Sequence, residues 1–219
     1  MQSQAIEDYL RAIYELQSTE DQVGTSLLAE RLGVTPASVT GMIKKLAEMK
    51  LVVYEPYQGV KLTRAGQKIA LEVLRHHRLV ERFLAEALGV PWDRVNEEAH
   101  KIEHVLSEDL EERMDAMLGH PTTDPHGSPI PRPDGTIDES ASTRLADLQV
   151  GQSAVVAEVG DHDAALLRYL GELGLYPRSA VAVMAVVPFD GLMTVQIGNK
   201  QYALSRAVAT EIFVADVKN

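Results

Sequence analysis

The segment SLLAERLGVTPASVTGMIKKLAEMKLVVYEPYQGVKLT, residues 26–63, decides the fold of this chain. Its first part predicts a helix that begins near Ser26 and ends at Gly33, and Pro36 suits the first turn of a second helix. The remainder predicts two short strands joined by a turn between residues 56 and 59. A helix, a tight turn, a second helix and a hairpin, in this order, form a winged helix-turn-helix.

The outward face of the second helix predicts contact with DNA. Hydroxyl groups on this face reach base edges or phosphates, and lysines neutralise backbone charge. The face carries no arginine, which favours recognition of DNA shape and methyl groups over bidentate contacts to guanine. The alternative is a solvated face of a protein-binding module with the same fold. The candidate DNA-binding residues of the helix and hairpin are Thr35, Ala37, Ser38, Thr40, Gly41, Lys44, Lys45, Tyr57 and Lys61.

The rest of the chain predicts a mainly α-helical protein with a small β domain. Apolar spacing predicts a helix over residues 4–17 and long helices over 64–88 and 92–117. Short β-type runs follow Leu145, interrupted by one helix, which outlines a small barrel. The predicted domains are a winged helix-turn-helix (1–73), a helical dimerisation and metal-binding domain (74–120), a loop and linker (121–144) and an SH3-like β-barrel (145–219).

Composition and charge restrict the partners of the chain. The net charge is −11 over 219 residues, yet residues 1–75 balance nine basic against nine acidic side chains. Residues 76–140 carry six basic and fifteen acidic side chains, which suits divalent cations and excludes DNA from this part. The absence of cysteine excludes disulfides and thiolate ligands. No apolar run approaches a membrane span and the N-terminus is no signal peptide, so we expect a cytoplasmic protein without a membrane partner.

The motif HKIEH, residues 100–104, predicts a metal site. On a helix, His100, Glu103 and His104 lie at i, i+3 and i+4 and project from one face. His77 and Glu81 repeat the i, i+4 spacing on the preceding helix. Two imidazoles and a carboxylate form half of an octahedral site or most of a tetrahedral one. In the alternatives, these histidines are structural in a regulator that senses something else, or the motif is the inverted zinc-protease motif with Glu103 as general base.

The chain as a whole resembles the diphtheria-toxin-repressor and manganese-transport-regulator family of metal-dependent transcriptional regulators. The resemblance covers nearly the whole chain and implies a homodimeric repressor, not an enzyme, that binds double-stranded operator DNA when loaded with metal. The C-terminal segment LRYLGELGLYPRSAVAV resembles the small SH3-like domain of ferrous-transport accessory proteins. The segments that carry the family resemblance are IEDYLRAIYEL, LAERLGVTPASVTGMIKKLAEMKLV, LTRAGQKIA, HHRLVERFLAEALGV, EEAHKIEHVLSEDLEERM and DPHGSPIP.

The resemblance also implies two sets of metal ligands. One is a primary site and the other an ancillary site that includes a loop and the C-terminal domain. The primary set is Asp8, His100, Glu103 and His104, with His77 as a further candidate, and the ancillary set is Glu81, Asp124, His126 and Asp163.

Three positions depart from the family pattern. His100 stands where relatives commonly have Cys or Glu, and Asn96 stands where iron-responsive members have a ligating His. Arg11 replaces a carboxylate with which manganese-specific members hold a second ion, which argues against a close binuclear cluster.

Oxygen and nitrogen ligands without sulfur suit Mn²⁺ or Fe²⁺. In the family an aspartate at the position of Asp8 goes with manganese and a methionine with iron, so Mn²⁺ is our choice and an Fe²⁺-dependent repressor the alternative. Zn²⁺, Co²⁺ and Ni²⁺ should also bind in vitro. Our hypothesis is that the ion joins Asp8 of the DNA-binding part to HKIEH of the dimerisation part.

Overall fold

The predicted winged helix-turn-helix is present in the computed structural model, which describes residues 3–17, 20–55, 58–139, 141, 143–188 and 191–219. The chain forms two compact units. The first contains residues 1–77, 103–106 and 131–136, and the second contains residues 78–102, 107–130 and 137–219.

Three helices, a hairpin and the start of a long helix build the first unit. Its helices begin and end where local chemistry predicts. Gly33 ends the second helix in the left-handed conformation at φ 64°, and the Thr35 hydroxyl accepts a hydrogen bond from Ser38 N at the start of the third. The elements are α1 (Gln4–Leu16), α2 (Thr25–Leu32), α3 (Pro36–Glu48), β1 (Val52–Glu55), β2 (Gly59–Leu62) and α4 (Arg64–Leu88).

The hairpin packs against the helices through one apolar core. β1 and β2 pair antiparallel with Val52 opposite Leu62, and Val23 bridges to Val60. Apolar side chains of all three helices close the core beneath them, and burial of this surface is the main force that stabilises the unit. Its fully buried members include Leu10, Ile13, Leu28, Val39, Ile43 and Leu46.

The long helix α4 has the predicted bounds. It begins at Arg64 and ends at Leu88, and Gly89 follows in the left-handed conformation at φ 67°. The helix begins in the first unit and passes into the second after His77.

The prediction of one continuous helix over residues 92–117 is wrong. The chain forms α5 (Val95–His100), a 3₁₀ turn (Glu103–Val105) and α6 (Glu108–Met117) instead. Ser107 starts a new helix because its hydroxyl accepts a hydrogen bond from Leu110 N, and acidic residues fill the first turn of α6, where the helix dipole favours them. Glu103 and His104 therefore belong to a tight turn and not to one face of an α-helix.

The small C-terminal β domain is confirmed. Among the described residues, its strands are antiparallel in the order β3-β8-β4-β5-β6-β7 and surround a core of their own that includes Leu167, Leu170 and Val195. The regular elements are β3 (Thr143–Arg144), β4 (Ser153–Val159), α7 (Ala164–Leu173), β5 (Ala180–Val186), β6 (Met193–Ile197), β7 (Lys200–Leu204), α8 (Arg206–Thr210) and β8 (Ile212–Lys218). Within the described residues, no helix is both long and apolar enough to cross a membrane.

Candidate metal centres and DNA-binding face

A first cluster of metal-ligating side chains lies in the first unit. Asp8 of α1 meets Glu103 and His104 of the 3₁₀ turn, and one potential ligand atom of each lies within 4.8 Å of the others. His104 Nε2 is 2.9 Å from Asp8 Oδ1 and 3.1 Å from Glu103 Oε1. Two carboxylates and one imidazole thus converge at one point. We call these three residues the first cluster.

Two basic side chains hold the Glu103 carboxylate. Arg11 Nη1 donates a hydrogen bond of 2.7 Å to Glu103 Oε2, and His77 Nδ1 contacts the same oxygen. The Glu103 side chain is fully buried, and a buried carboxylate needs such partners to remain charged. His77, a further candidate ligand, thus contacts Glu103, while Glu103 Oε1 faces His104.

A second carboxylate orients His104. The Nδ1 atom of His104 is 2.6 Å from Glu7 Oε2, and the His104 side chain is 4% exposed. A carboxylate on one ring nitrogen fixes the ring and directs the other nitrogen toward a metal. Glu7 was not among the candidate residues, although its place beside Asp8 in the first turn of a helix was visible in the sequence.

His100 is the last residue of α5 and is exposed. It belongs to the second unit, whereas Glu103 and His104 belong to the first. Its role as a ligand remains a prediction.

A second cluster lies wholly within the second unit. Glu81 of α4, Asp124 and His126 of the following loop and Asp161 after β4 each offer a ligand atom within 4.8 Å of the others. Glu81, Asp124 and His126 are buried to 1% exposure or less. We call these four residues the second cluster.

The loop of residues 124–128 has a conformation that presents the second cluster. Asp124 Oδ1 accepts hydrogen bonds from the backbone N–H groups of His126 (2.8 Å) and Ser128 (3.0 Å). Gly127 has a φ of 97°, and a Cβ here would lie 2.0 Å from Ala157 O, so only glycine lets the loop approach β4 this closely. These contacts leave Asp124 Oδ2 directed away from the backbone of its own loop.

The second cluster meets the requirements of a cation site. Asp124 Oδ2 and His126 Nδ1 are inaccessible to solvent and make no hydrogen bond within the described residues. His126 Nε2 is 2.8 Å from Trp92 O, to which it donates, so that Nδ1 carries the lone pair that faces Glu81 at 3.9 Å. Arg78 Nε lies 3.6 Å from Asp124 Oδ2 and pairs with it electrostatically. Buried polar atoms without hydrogen bonds are nevertheless costly, and a cation that accepts their lone pairs would offset this cost.

Burial also changes the protonation of this cluster. Desolvation, followed by the charge of Glu81, raises the pKa of Asp124 to about 7, although Arg78 and His126 act in the opposite direction. A divalent cation would favour the carboxylate form, which is the form that binds metal.

The structure places Asp163, a candidate for the ancillary site, at the start of α7. The Asp163 carboxylate caps α7, accepting hydrogen bonds from the backbone N–H groups of Ala165 (2.8 Å) and Leu166 (3.2 Å). The residue that joins Glu81, Asp124 and His126 is Asp161. An aspartate directly before an amphipathic helix is a strong N-cap signal, which would have distinguished the two residues from sequence.

The outward face of α3 is open to solvent. Ala37, Ser38, Gly41, Lys44 and Lys45 are exposed, and Thr40 is half-buried. The hydroxyls are held in place locally. Those of Thr35 and Ser38 lie 2.9 Å apart, and that of Thr40 donates to Pro36 O over 2.9 Å.

The hairpin supplies one further candidate. Lys61 is exposed on β2, and its Nζ lies 2.6 Å from Asp21 Oδ1, so that a contact with phosphate would compete with this exposed ion pair. Tyr57 lies outside the described residues.

Family models match successive parts of the chain. The N-terminal DNA-binding domain of iron-dependent repressors matches residues 1–60, their metal-binding and dimerisation domain matches residues 63–132, and the FeoA domain matches residues 143–216. The iron-dependent repressor IdeR of Mycobacterium tuberculosis (strain ATCC 25618 / H37Rv) is 32% identical over 223 residues, which cover 96% of each chain.

Solved structures show the same similarity. A manganese-dependent transcriptional repressor in complex with manganese superposes with a TM-score of 0.90 and 38% identity, covering 95% of this chain and 98% of that one. ScaR with bound Zn²⁺ superposes with a TM-score of 0.82 and 31% identity over 96% and 98% of the two chains.

The winged helix, the two clusters and these similarities define a metal-dependent transcriptional repressor and not an enzyme. The protease interpretation of HKIEH is therefore set aside. The chain belongs to the diphtheria toxin repressor family of iron-dependent and manganese-dependent repressors.

Proposed function

We propose that this protein is a manganese-activated homodimeric repressor that binds double-stranded operator DNA and controls genes of metal-ion homeostasis. The observation that carries the proposal is the first cluster, in which Asp8 of the DNA-binding part meets Glu103 and His104 of the metal-binding part. In this proposal the protein acts in the cytoplasm, where residues 1–73 bind DNA and residues 74–120 bind metal and dimerise. Residues 121–144 connect these parts to residues 145–219, which supply a carboxylate to the second cluster.

The donor atoms favour manganese. Both clusters offer only carboxylate oxygen and imidazole nitrogen, a set that suits Mn²⁺ and Fe²⁺ better than soft ions. The sequence identity of 38%, over nearly the whole chain, to a repressor described as manganese-dependent supports the same choice. An Fe²⁺-dependent repressor is the alternative, because relatives of 32% identity are described as iron-dependent. Zn²⁺, Co²⁺ and Ni²⁺ should bind in vitro, since their intrinsic affinity for nitrogen and oxygen ligands is higher than that of Mn²⁺.

The residues of the first cluster link α1 to the 3₁₀ turn. A bound divalent cation would supply positive charge between the carboxylates of Asp8 and Glu103, which otherwise repel each other. Asp8 anchors α1, Glu103 is oriented by Arg11 and His77, and His104 is oriented by Glu7. Because α1 packs on the same core as α2 and α3, fixing α1 restrains the helix-turn-helix.

The residues of the second cluster link parts of the second unit. Glu81 belongs to α4, Asp124 and His126 belong to the loop, and Asp161 follows β4, so an ion bound to them would connect these three segments. Because all four residues belong to the second unit, an ion there would stabilise that unit, so we assign the regulatory role to the first cluster and a structural role to the second.

A second copy of the chain would complete the DNA-binding unit. Leu88 at the end of α4 and Leu110 and Met117 of α6 are exposed by 63%, 43% and 69%, and exposed apolar side chains of this kind suit a dimer interface. In a dimer the two α3 helices would enter successive major grooves about one helical turn apart. A coupling of about 1–3 kcal/mol between ion and operator would change operator affinity about 5- to 150-fold.

An operator-binding titration with different ions tests the proposal. The labelled promoter of a metal-uptake gene from the same genome is titrated with the full-length protein in Mn²⁺, Fe²⁺ (without oxygen), Zn²⁺ and chelator. We expect tight binding with Mn²⁺ at ion concentrations found in cells and weak, nonspecific binding with chelator. Binding that is equally tight in chelator would contradict metal activation, and activation by Fe²⁺ alone at those concentrations would favour the iron alternative.

A further inference from the structure

A row of side chains with alternating charge leads from the first cluster to the helix-turn-helix. Arg11 Nη1 donates to Glu103 Oε2 over 2.7 Å, and Arg11 Nε lies 3.8 Å from Glu15 Oε1. The other oxygen of Glu15 contacts Arg31 Nη2. Arg31 lies in the last turn of α2, just before the turn that leads to α3. We call Glu103, Arg11, Glu15 and Arg31 the charge row.

The charge row is sheltered from solvent. The side chains of Arg11, Glu15 and Arg31 are 18%, 22% and 24% exposed, and that of Glu103 is fully buried. Charges in such an environment interact more strongly than on an open surface, because less water screens them. None of Arg11, Glu15 and Arg31 belongs to either cluster.

The geometry of Arg11 makes two carboxylates compete for one guanidinium. Arg11 is closer to Glu103 than to Glu15 in this structure. Coordination of Glu103 to a divalent cation would withdraw negative charge from the carboxylate and weaken its attraction for Arg11. Arg11 would then interact more strongly with Glu15, which is also held by Arg31 of α2.

We propose that Glu15 is a positioning residue that transmits occupancy of the first cluster to α2 through Arg31. This inference rests on the proposed function, and it adds the route by which the ion acts on the DNA-binding helices. Because coupling is reciprocal, a change at Arg31 must alter the ion affinity of the first cluster even when DNA is absent.

Competition for Arg11 determines whether each of two single substitutions weakens or strengthens Mn²⁺ binding. Glu15→Gln removes the competitor, so Arg11 stays with Glu103 and the affinity for Mn²⁺ should fall at least about threefold. A change of this size lies within the range of interaction energies measured between neighbouring residues. Arg31→Gln leaves Glu15 to attract Arg11 more strongly, so Mn²⁺ should bind about threefold more tightly. Arg31→Lys keeps the charge and should restore most of the wild-type affinity.

The double variant distinguishes transmission through the charge row from a general electrostatic effect on ion binding. If Arg31 acts through Glu15, Arg31→Gln has no effect in the Glu15→Gln background, and the double variant binds Mn²⁺ like Glu15→Gln alone. Charges that act independently through space would instead give effects that add. Arg64→Gln, at the exposed first residue of α4, removes the same charge outside the charge row and is the matched control.

The test is calorimetric titration of the full-length protein with Mn²⁺ in the absence of DNA. The binding event that Asp8→Asn removes is assigned to the first cluster. A second readout is the Arg31 Nε–H resonance in ¹⁵N spectra, which addition of diamagnetic Zn²⁺ should shift in the wild type but not in Glu15→Gln.

Two results would overturn the proposal. One is additive effects of Glu15→Gln and Arg31→Gln on the Asp8-dependent event, and the other is an equal Zn²⁺-induced shift of Arg31 in the Glu15→Gln variant. If the wild type shows no Asp8-dependent event, the proposed function fails as well, so the two failures are distinguishable.

Discussion

The Nε2 atom of His104 lies 2.9 Å from Oδ1 of Asp8, which joins the first helix of the chain to the HKIEH motif. Two further carboxylates surround His104. Glu7 contacts its Nδ1 atom, and Glu103 contacts the same Nε2 atom that faces Asp8. The Arg11 guanidinium donates to Glu103 and balances part of this negative charge. A divalent cation would balance the rest.

Stability of the metal-free protein should fall as the pH rises toward neutrality. Burial raises the pKa of Asp124 to about 7, above that of an unfolded aspartate, so the folded protein retains a proton that the unfolded chain has lost. The stability from this group is fully present below the unfolded pKa of about 4 and is lost as the pH rises through about 7. Chemical unfolding in chelator at pH 5 and pH 7.5 measures this loss, and Asp124→Asn should reduce it.

Ion affinity of the second cluster should change with pH in the opposite direction. The ion needs the Asp124 carboxylate, so binding below pH 7 displaces a proton and affinity falls up to about tenfold per pH unit. Calorimetry with Mn²⁺ in buffers of different ionisation enthalpy measures the proton released. An affinity independent of pH between 5.5 and 7 would show that Asp124 does not bind the ion.

Fluorescence of Trp92 should report the second cluster. Trp92 is the one tryptophan of the chain, its carbonyl accepts a hydrogen bond from His126, and the two ring centroids are 5.7 Å apart. We expect paramagnetic Mn²⁺ to quench this emission when it binds the second cluster. Asp124→Asn should abolish the quenching while Asp8→Asn preserves it. The reverse pattern would refute the assignment of Trp92 to this site.

The apolar surface of α6 should be required for dimerisation. Met117→Glu places a charge on a side chain that is 69% exposed in the single chain and buried in the proposed dimer. We expect sedimentation equilibrium to give a monomer, and operator affinity to fall because only one half-site is occupied. Val150→Glu, at a residue that is 59% exposed in the C-terminal domain, should remain dimeric. If Met117→Glu remains dimeric, this surface of α6 is not the dimer interface.

Lys44 of α3 should contribute to operator affinity through backbone charge. Lys44→Gln is expected to weaken binding to operator and to unrelated DNA by a similar factor and to reduce the salt dependence by about one counterion. Lys68→Gln on α4 removes another exposed charge and should change neither value. An unchanged salt slope for Lys44→Gln would place DNA on another face.

Much of the architecture was predictable because its determinants are local. Gly33, Thr35 and Pro36 specify the turn and the start of α3, and the apolar periodicity of residues 64–88 specifies α4. The break before α6 was missed because the Ser107 cap and its acidic first turn compete with a periodicity that continues through residues 92–117.

The sites were only partly predictable because they depend on contacts between distant segments. Ligand type and spacing identified Glu81, Glu103 and His104 as candidates, and the family resemblance added Asp8, Asp124 and His126. The choice between Asp161 and Asp163 depends on which carboxylate caps α7 and which turns toward the loop of residues 124–128. The roles of Glu7 and Arg11 depend on packing of α1 against the 3₁₀ turn, which no local pattern encodes.

The most direct test of the account is operator binding by Asp8→Asn with and without Mn²⁺. The wild type should gain about 5- to 150-fold in affinity on addition of Mn²⁺, whereas Asp8→Asn should keep its thermal stability in chelator and gain less than about twofold. Glu20→Gln removes an exposed carboxylate of the same unit and should respond like the wild type. A full response of Asp8→Asn to Mn²⁺ would contradict the claim that the first cluster joins metal binding to DNA binding.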